Sequence, residues 1–104
     1  MAKADINEIK KYLEQCLLEN GVTVNNIALF GSHLKGRPQA DSDIDFVVIS
    51  DSFIDKDLFE RVKLIRGVER KVIQKFGVPL DILLKTAQEF DNMLTAKMIY
   101  AEVI

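Results

Sequence analysis

The sequence predicts an α+β fold in which a small mixed sheet of three to four strands packs against helices. Three observations predict it. Apolar residues recur at helical spacing in some segments and gather in short β-branched runs in others. Glycine, proline and capping residues divide these segments into the order helix, strand, turn, strand, helix, strand, helix. The length of 104 residues suits one hydrophobic core, so we expect a single domain over residues 1–104.

The first predicted element is a helix. Apolar residues at helical spacing place it at about residues 5–19, and Asp5 and Glu8 have the spacing of a capping box, with aspartate in place of serine or threonine. Gly21 can take the left-handed conformation that ends many helices. Residues 22–30 then have the composition of a strand, which is strongest over the letters NIALF.

The middle of the chain contains the clearest strand. Residues 44–49 are rich in valine, isoleucine and phenylalanine, a composition typical of a buried strand. Helical spacing of apolar residues then predicts one helix over residues 58–76. Gly77 closes this helix and Pro79 follows it, as expected beyond a helix end.

A third strand and a last helix complete the predicted fold. Residues 79–85, with the letters PLDILLK, are typical of a short strand. Thr86 and Glu89 form a second capping box, which predicts the start of the helix. The apolar residues expected along it are Phe90, Leu94, Met98 and Ala101.

Composition and charge restrict the function. The net charge is −2, whereas a dedicated nucleic-acid-binding domain usually has a basic surplus, so stable nucleic-acid binding is not expected. Cys16 is the only cysteine, which excludes an intrachain disulfide and a cysteine metal cluster. No apolar stretch reaches the roughly 20 residues that span a bilayer, and the N-terminus lacks the apolar core of a signal peptide. We therefore expect a cytoplasmic protein without a membrane span.

Three aspartates stand in or beside strands that are otherwise apolar. Asp43 and Asp45 share one face because side chains alternate along a strand, and their backbones are roughly 6–7 Å apart. Asp81 is a single acid in the third strand. Carboxylates gathered on one face would repel one another, and a bound Mg²⁺ or Mn²⁺ would remove this repulsion. For any one of these residues a solvated strand end is the simpler interpretation, but together with the Gly31-Ser32 turn upstream they favour a metal site.

The turn after the first strand has the composition of an anion site. Gly31 permits another group to approach the backbone closely. Ser32 stands at the start of a predicted helical turn, whose free N–H groups, with the hydroxyl, would bind a phosphate. His33, Lys35 and Arg37 follow within five residues, an arrangement that suits a small anion with metal ions.

The spacing of these motifs resembles a known signature. A Gly-Ser pair, a ten-residue gap, an Asp-x-Asp and a third acid on a later strand closely resemble the DNA polymerase beta nucleotidyltransferase superfamily. The resemblance covers residues 27–84, and the short chain is similar to the minimal nucleotidyltransferase (MNT) group, whose members are little more than a catalytic domain. It implies a polymerase-beta-like nucleotidyltransferase fold.

The resemblance also implies a role for the aspartates. Asp43 and Asp45 would hold two Mg²⁺ ions. Asp81 would complete the site of the catalytic metal, or help to deprotonate the acceptor hydroxyl. The three aspartates would thus be both the metal-binding and the catalytic residues.

The same resemblance assigns nucleotide binding to the Gly-Ser turn. Ser32, with the backbone at Gly31, would hold the β- and γ-phosphates of ATP. Many members of the superfamily carry arginines after the serine, and here Lys35 and Arg37 would balance the triphosphate charge.

The implied reaction is a two-metal in-line displacement. MNT proteins are commonly paired with HEPN-domain ribonuclease toxins and act as their antitoxins. The resemblance therefore implies Mg-dependent transfer of AMP from ATP to a hydroxyl of a HEPN partner, namely that of a tyrosine.

Two alternatives stay open. The chain would neutralise its partner by binding alone, or it would modify a small molecule or RNA together with a separate substrate-binding subunit. Because 104 residues leave no room for a second domain, the acceptor surface would come from a partner protein or from a second copy of the chain. Val47 and Ile49 on the aspartate face would contribute to such an interface or, as we expect, pack under the chain's own helices.

Overall fold

A computed structural model describes residues 5–31 and 43–104 of the chain. In chain order the elements are α1 (Ile6–Glu19), β1 (Asn26–Phe30), β2 (Ile44–Ile49), a short 3-10 helix (Asp51–Phe53), α2 (Leu58–Leu64), α3 (Val68–Phe76), β3 (Leu80–Lys85), α4 (Ala87–Thr95) and β4 (Ala101–Val103). The predicted α+β class is confirmed. No helix in these two ranges is long and apolar enough to cross a membrane.

The strands of the described ranges form one mixed sheet in the order β3-β2-β1-β4. β1 pairs antiparallel with both β2 and β4, whereas β2 pairs parallel with β3. A parallel pair needs a crossover connection, and α2 and α3 supply it. The sheet therefore has the larger of the two predicted strand numbers.

The two faces of the sheet bury different sets of side chains. One face packs against α1 and α3 and forms the main core. Its fully buried members include Ile9, Leu13, Ile27, Phe46, Val48 and Val72. The opposite face is covered by α4, whose Phe90 packs with Ala28, Val47 and Ile49. Val47 and Ile49 are thus buried by a helix of the same chain, as expected.

Two sets of interactions hold α4 over this second face. Thr86 and Glu89 form the predicted capping box, in which each side chain accepts a hydrogen bond from the backbone N–H of the other residue. Arg61 on α2 donates to both carboxylate oxygens of Glu89, at 2.7 and 3.1 Å. The same guanidinium donates to the carbonyl oxygens of Lys56 and Leu84. Arg61 therefore ties α2 to both β3 and α4.

The helix α1 closely matches its prediction, but its N-terminal cap differs. The Asp5 side chain accepts a hydrogen bond from the N–H of Asn7 at 2.9 Å. Because the contact goes to the second residue of the helix and not to Glu8, Asp5 is a single cap, and the predicted capping box is not formed.

The prediction of one helix over residues 58–76 is wrong, because α2 and α3 are separate helices. Gly67 lies between them with a φ of 82°, a left-handed conformation that a continuous helix cannot contain. The side-chain amide of Asn20 donates to the carbonyl oxygens of Leu64 and Arg66. These bonds satisfy acceptors that the end of α2 leaves unpaired, so a distant residue stabilises the break.

The last helix is shorter than predicted. α4 ends at Thr95, and Ala101–Val103 forms β4, which pairs with β1. Leu94 and Met98, which the helical pattern placed on the buried side, are 37% and 75% exposed. After the helix Lys97 takes a left-handed conformation with a φ of 57°, and the following segment pairs with β1.

The first strand is also shorter than predicted and begins at Asn26. The backbone that precedes β1 forms hydrogen bonds with serine side chains that follow β2. The Ser50 hydroxyl donates to the carbonyl oxygen of Thr23, and the Thr23 N–H donates to the hydroxyl of Ser52 at 3.0 Å. These bonds hold the segment before β1 against the end of β2.

The contact between Arg61 and Glu89 makes stability depend on acid pH. The hydrogen bonds from Arg61 lower the pKa of the Glu89 carboxyl from its ordinary value of 4.5 to about 2. Since the folded-state pKa is the lower one, this contribution is fully present above about pH 4.5 and is lost as the pH falls towards 2. The Glu89 side chain is 40% exposed, so solvent screening limits the contribution to about 1 kcal/mol.

We therefore expect Glu89→Gln to lower the free energy of unfolding by that amount at pH 7 and to converge with the wild type near pH 2. Glutamine retains an oxygen that can accept the capping bond from the Thr86 N–H. Urea unfolding of both proteins between pH 2 and pH 7 measures the difference. Curves that stay parallel over this interval would contradict the assignment.

Candidate active site

Strand pairing places two of the predicted site residues side by side. In the register of β2 and β3, Asp45 is directly opposite Asp81, and in the register of β1 and β2 it is opposite Phe30. Residues paired in this way project from the same face, and neighbouring strands are about 4.8 Å apart. Asp45 and Asp81 are thus neighbours in space although 36 positions separate them in the sequence.

The third aspartate lies beside this pair. Asp43 immediately precedes β2 and is exposed, as is Asp81, whereas Asp45 is half-buried. Within residues 5–31 and 43–104, no three His, Cys, Asp or Glu side chains are grouped closely enough to hold a metal ion as they stand. The structure therefore brings Asp45 and Asp81 into register, with Asp43 next to them, without a closed cluster of three carboxylates.

Gly31 follows the last residue of β1 and contacts Asp45. Its φ is 77°, in the left-handed region that favours glycine. A Cβ atom at Gly31 would overlap Oδ2 of Asp45 and would lie 3.1 Å from its Cγ. The group that approaches the glycine closely is therefore a carboxylate of the protein itself.

The other predicted nucleotide-binding residues lie outside the described residues. They are Ser32, Lys35 and Arg37, and His33 lies in the same segment. The described part of the candidate site is therefore the aspartates together with Gly31.

The carboxylates fit a divalent cation by their chemistry. All the donor atoms are oxygens, which Mg²⁺ and Mn²⁺ prefer as ligands. Asp45 and Asp81 lie opposite each other on neighbouring strands, so one cation could be shared between their carboxylates. Magnesium commonly keeps several waters or phosphate oxygens and is held by only one or two carboxylates, so a closed three-carboxylate cluster is not required.

A second polar cluster lies at the other end of the same strands. Arg61 and Glu89 line a crevice there together with Asp51 and Asp55. These residues follow the carboxyl ends of β2 and β3, whereas the aspartate pair lies near the beginnings of both strands. Because Arg61 and Glu89 bind each other, we interpret this cluster as the anchor of α4.

Two residues in these arrangements were not identified from the sequence. Phe30 ends the apolar run before Gly31, and the antiparallel pairing of β1 with β2 places it opposite Asp45. Arg61 carries no local signal, because its partner Glu89 lies 28 positions away.

Comparison with known proteins gives a family match. The family model described as “Nucleotidyltransferase domain” matches residues 6–103. This range extends from the start of α1 to the end of β4 and includes every predicted site residue. No curated protein sequence matches the chain.

Solved structures show that the fold recurs. A putative nucleotidyltransferase from Sulfolobus solfataricus matches with a TM-score of 0.58 at 17% identity, over 99% of this chain and 89% of that chain. A toxin-antitoxin crystal structure with AMP-PNP matches with a TM-score of 0.52 at 24% identity, over 72% of this chain but 56% of that chain. The BolA domain of SufE1 from Arabidopsis thaliana matches with a TM-score of 0.51 at 19% identity, over 86% and 99% respectively. At these identities the likeness concerns the fold alone, and a fold by itself does not identify an activity.

We expect a cation shared between Asp45 and Asp81 to stabilise the fold. Adding Mn²⁺ should raise the melting temperature of the wild type more than that of Asp81→Asn, which lacks one of the two carboxylates. Glu102→Gln is the matched control, since Glu102 is an exposed strand residue opposite the apolar Leu29.

Thermal unfolding of the three proteins with and without Mn²⁺ measures this difference. If Asp81→Asn and Glu102→Gln behave alike under both conditions, Asp45 and Asp81 do not share a cation.

Proposed function

The chain belongs to the nucleotidyltransferase domain family, and from this premise we propose that it transfers AMP from ATP to a hydroxyl group of a partner protein. The observation that carries the proposal is the pair of aspartates in register on β2 and β3, beside the glycine turn after β1. A carboxylate pair with one exposed member, in a chain whose sequence continues from Gly31 with a serine and basic residues, suits a metal-bound triphosphate.

Asp45 and Asp81, together with Asp43, would hold the first Mg²⁺ ion. When bound, Mg²⁺ supplies positive charge that neutralises the phosphates of ATP. The proposed second ion would be held by Asp43 and Asp45. Ser32, with the backbone at Gly31, would hold the β- and γ-phosphates.

The chemical step needs mainly positioning and charge neutralisation. The acceptor oxygen attacks the α-phosphorus, the bond to the bridging oxygen breaks, and pyrophosphate leaves with the electron pair of that bond. The hydroxyl proton goes to the Asp81 carboxylate or to water. Lys35 and Arg37 would offset the charge of the triphosphate and of the leaving pyrophosphate.

The open position of the aspartates supports a protein acceptor. Asp43 and Asp81 are exposed, and α4 covers the same face of the sheet further along, where Phe90 packs on Val47. A side chain of a partner can therefore approach the aspartates without displacing α4. A tyrosine reaches further from a protein surface than a serine or threonine, so we propose tyrosine as the acceptor.

We propose a HEPN-domain toxin as the partner, so that the chain acts as its antitoxin. The resemblance to MNT proteins motivates this choice. Similarity to a toxin-antitoxin structure that contains AMP-PNP, an analogue of ATP, supports a nucleotide substrate and a partner protein. We further propose that residues 1–104 act as a single domain in the cytoplasm, with a second copy of the chain as the other source of an acceptor surface.

Two other functions make different predictions. If the chain neutralises its partner by contact alone, neutralisation persists without the aspartates. If it modifies a small molecule or RNA with a separate subunit, labelled nucleotide appears on that acceptor and not on a protein. The aspartate pair in register favours catalysis, because binding alone has no need for two opposed carboxylates.

The test is transfer of label from [α-³²P]ATP. Incubation of the chain with Mg²⁺ and the protein encoded by the adjacent gene should label that protein on tyrosine. The double variant Asp43→Asn with Asp45→Asn should reduce the labelling rate by at least roughly 100-fold, because metal-ion stabilisation of the charge is worth several kcal/mol.

Asp91→Asn is the control for this assay, because Asp91 is an exposed carboxylate on α4 and should leave the rate unchanged. Equal labelling by the double variant and the control would refute the assignment of the aspartates. A partner that is inhibited in cells by the double variant as well as by the wild type would support binding alone.

A further inference from the structure

We propose that Gly31 is the positioning residue of Asp45. Because glycine has no Cβ, a space remains beside its backbone, and the Asp45 carboxylate is held in this space, which we call the seat. The catalytic consequence of this seat rests on the proposed function, whereas the packing itself does not. This role is distinct from the phosphate contact that the resemblance implies for the backbone at Gly31.

The close contact distinguishes Gly31 from the other glycines that the structure describes. Gly21, Gly31, Gly67 and Gly77 all have positive φ, between 65° and 82°. A Cβ added at Gly21, Gly67 or Gly77 would meet no atom within 4 Å. At Gly31 it would overlap Oδ2 of Asp45 and would also crowd its Cγ and Cβ, at 3.1 and 3.4 Å. Backbone conformation explains a glycine at all four positions, but only Gly31 is also required by a neighbouring side chain.

If a side chain were added at position 31, the Asp45 carboxylate would have to move, because the backbone of Asp45 is held in place. The backbone at residue 45 is paired on both sides, with Phe30 of β1 and Asp81 of β3. The next residues, Phe46 and Val47, are fully buried on opposite faces of the sheet. A side chain at position 31 would therefore rotate the Asp45 carboxylate out of its seat and change its position relative to Asp81.

A double-mutant cycle tests the seat. Gly31→Ala and Gly67→Ala are each introduced into the wild type and into Asp45→Ala, and the melting temperature is measured in a chelator. Gly67→Ala should cost roughly 5 °C in both backgrounds, because it meets only the left-handed backbone conformation. Gly31→Ala should cost at least about twice as much in the wild type, and about the same as Gly67→Ala in Asp45→Ala, where Oδ2 and Cγ are gone.

An equal cost of Gly31→Ala in both backgrounds would overturn the proposal, since the carboxylate would then have no part in the requirement for glycine. If Gly31→Ala fails to fold in the wild type, folding in the Asp45→Ala background supports the proposal. Failure to fold in both backgrounds overturns it.

Two further measurements separate positioning from a general loss of stability. The ¹³Cγ chemical shift of Asp45 should change in Gly31→Ala and stay unchanged in Gly67→Ala. The affinity for Mn²⁺, measured with the metal alone by water-proton relaxation, should fall at least roughly tenfold in Gly31→Ala and remain unchanged in Gly67→Ala. An unchanged Asp45 signal in folded Gly31→Ala overturns the positioning role.

The outcomes also separate this inference from the proposed function. A wild type that binds no Mn²⁺ refutes the metal site but leaves the seat to be decided by the melting temperatures and the Asp45 signal. Normal labelling activity in Gly31→Ala, with a changed Asp45 signal, refutes the catalytic consequence of the seat and leaves the packing established.

Discussion

The parallel pairing of β2 with β3 is the constraint on which the candidate site depends. It places Asp45 opposite Asp81 and so sets two negative charges about one strand spacing apart. The same pairing buries Phe46 and Val48 in the main core, so the charges cannot separate without loss of apolar packing. A one-residue slip would move Asp81 to the other face and expose the apolar set. The stability of the core thus fixes the distance between the two acids.

Because the register fixes both aspartates, the proposed cation would meet carboxylates whose backbone positions are already set by the sheet. Gly31 adds a second constraint from the other neighbouring strand, because the Asp45 carboxylate lies where a Cβ would be. The position of the Asp45 carboxylate is therefore restricted by β3 on one side and by Gly31, after β1, on the other.

The remainder of that sheet face is closed by α4, and this division gives the site its shape. Phe90 fills the apolar part of the face, and Arg61 with Glu89 anchors the start of the helix at the far end of the strands. Asp43 and Asp81 lie beyond this cover and are exposed, whereas Asp45 is half-buried. The hydrophobic part of the face is thus buried separately from the two exposed carboxylates.

The sequence by itself determined the α+β class, the second strand, the capping box of α4 and the family, because these depend on local composition, alternation and spacing. It also placed Asp45 with Val47 and Ile49 on one face, since alternation along a strand is a local property. The break at Gly67, the strand β4 and the partner of Arg61 were decided by the tertiary structure, because each depends on a residue far away in the chain: Asn20, the edge of β1 and Glu89. The opposition of Asp45 and Asp81 is also tertiary, since it requires β2 to pair with β3, from which α2 and α3 separate it in the sequence.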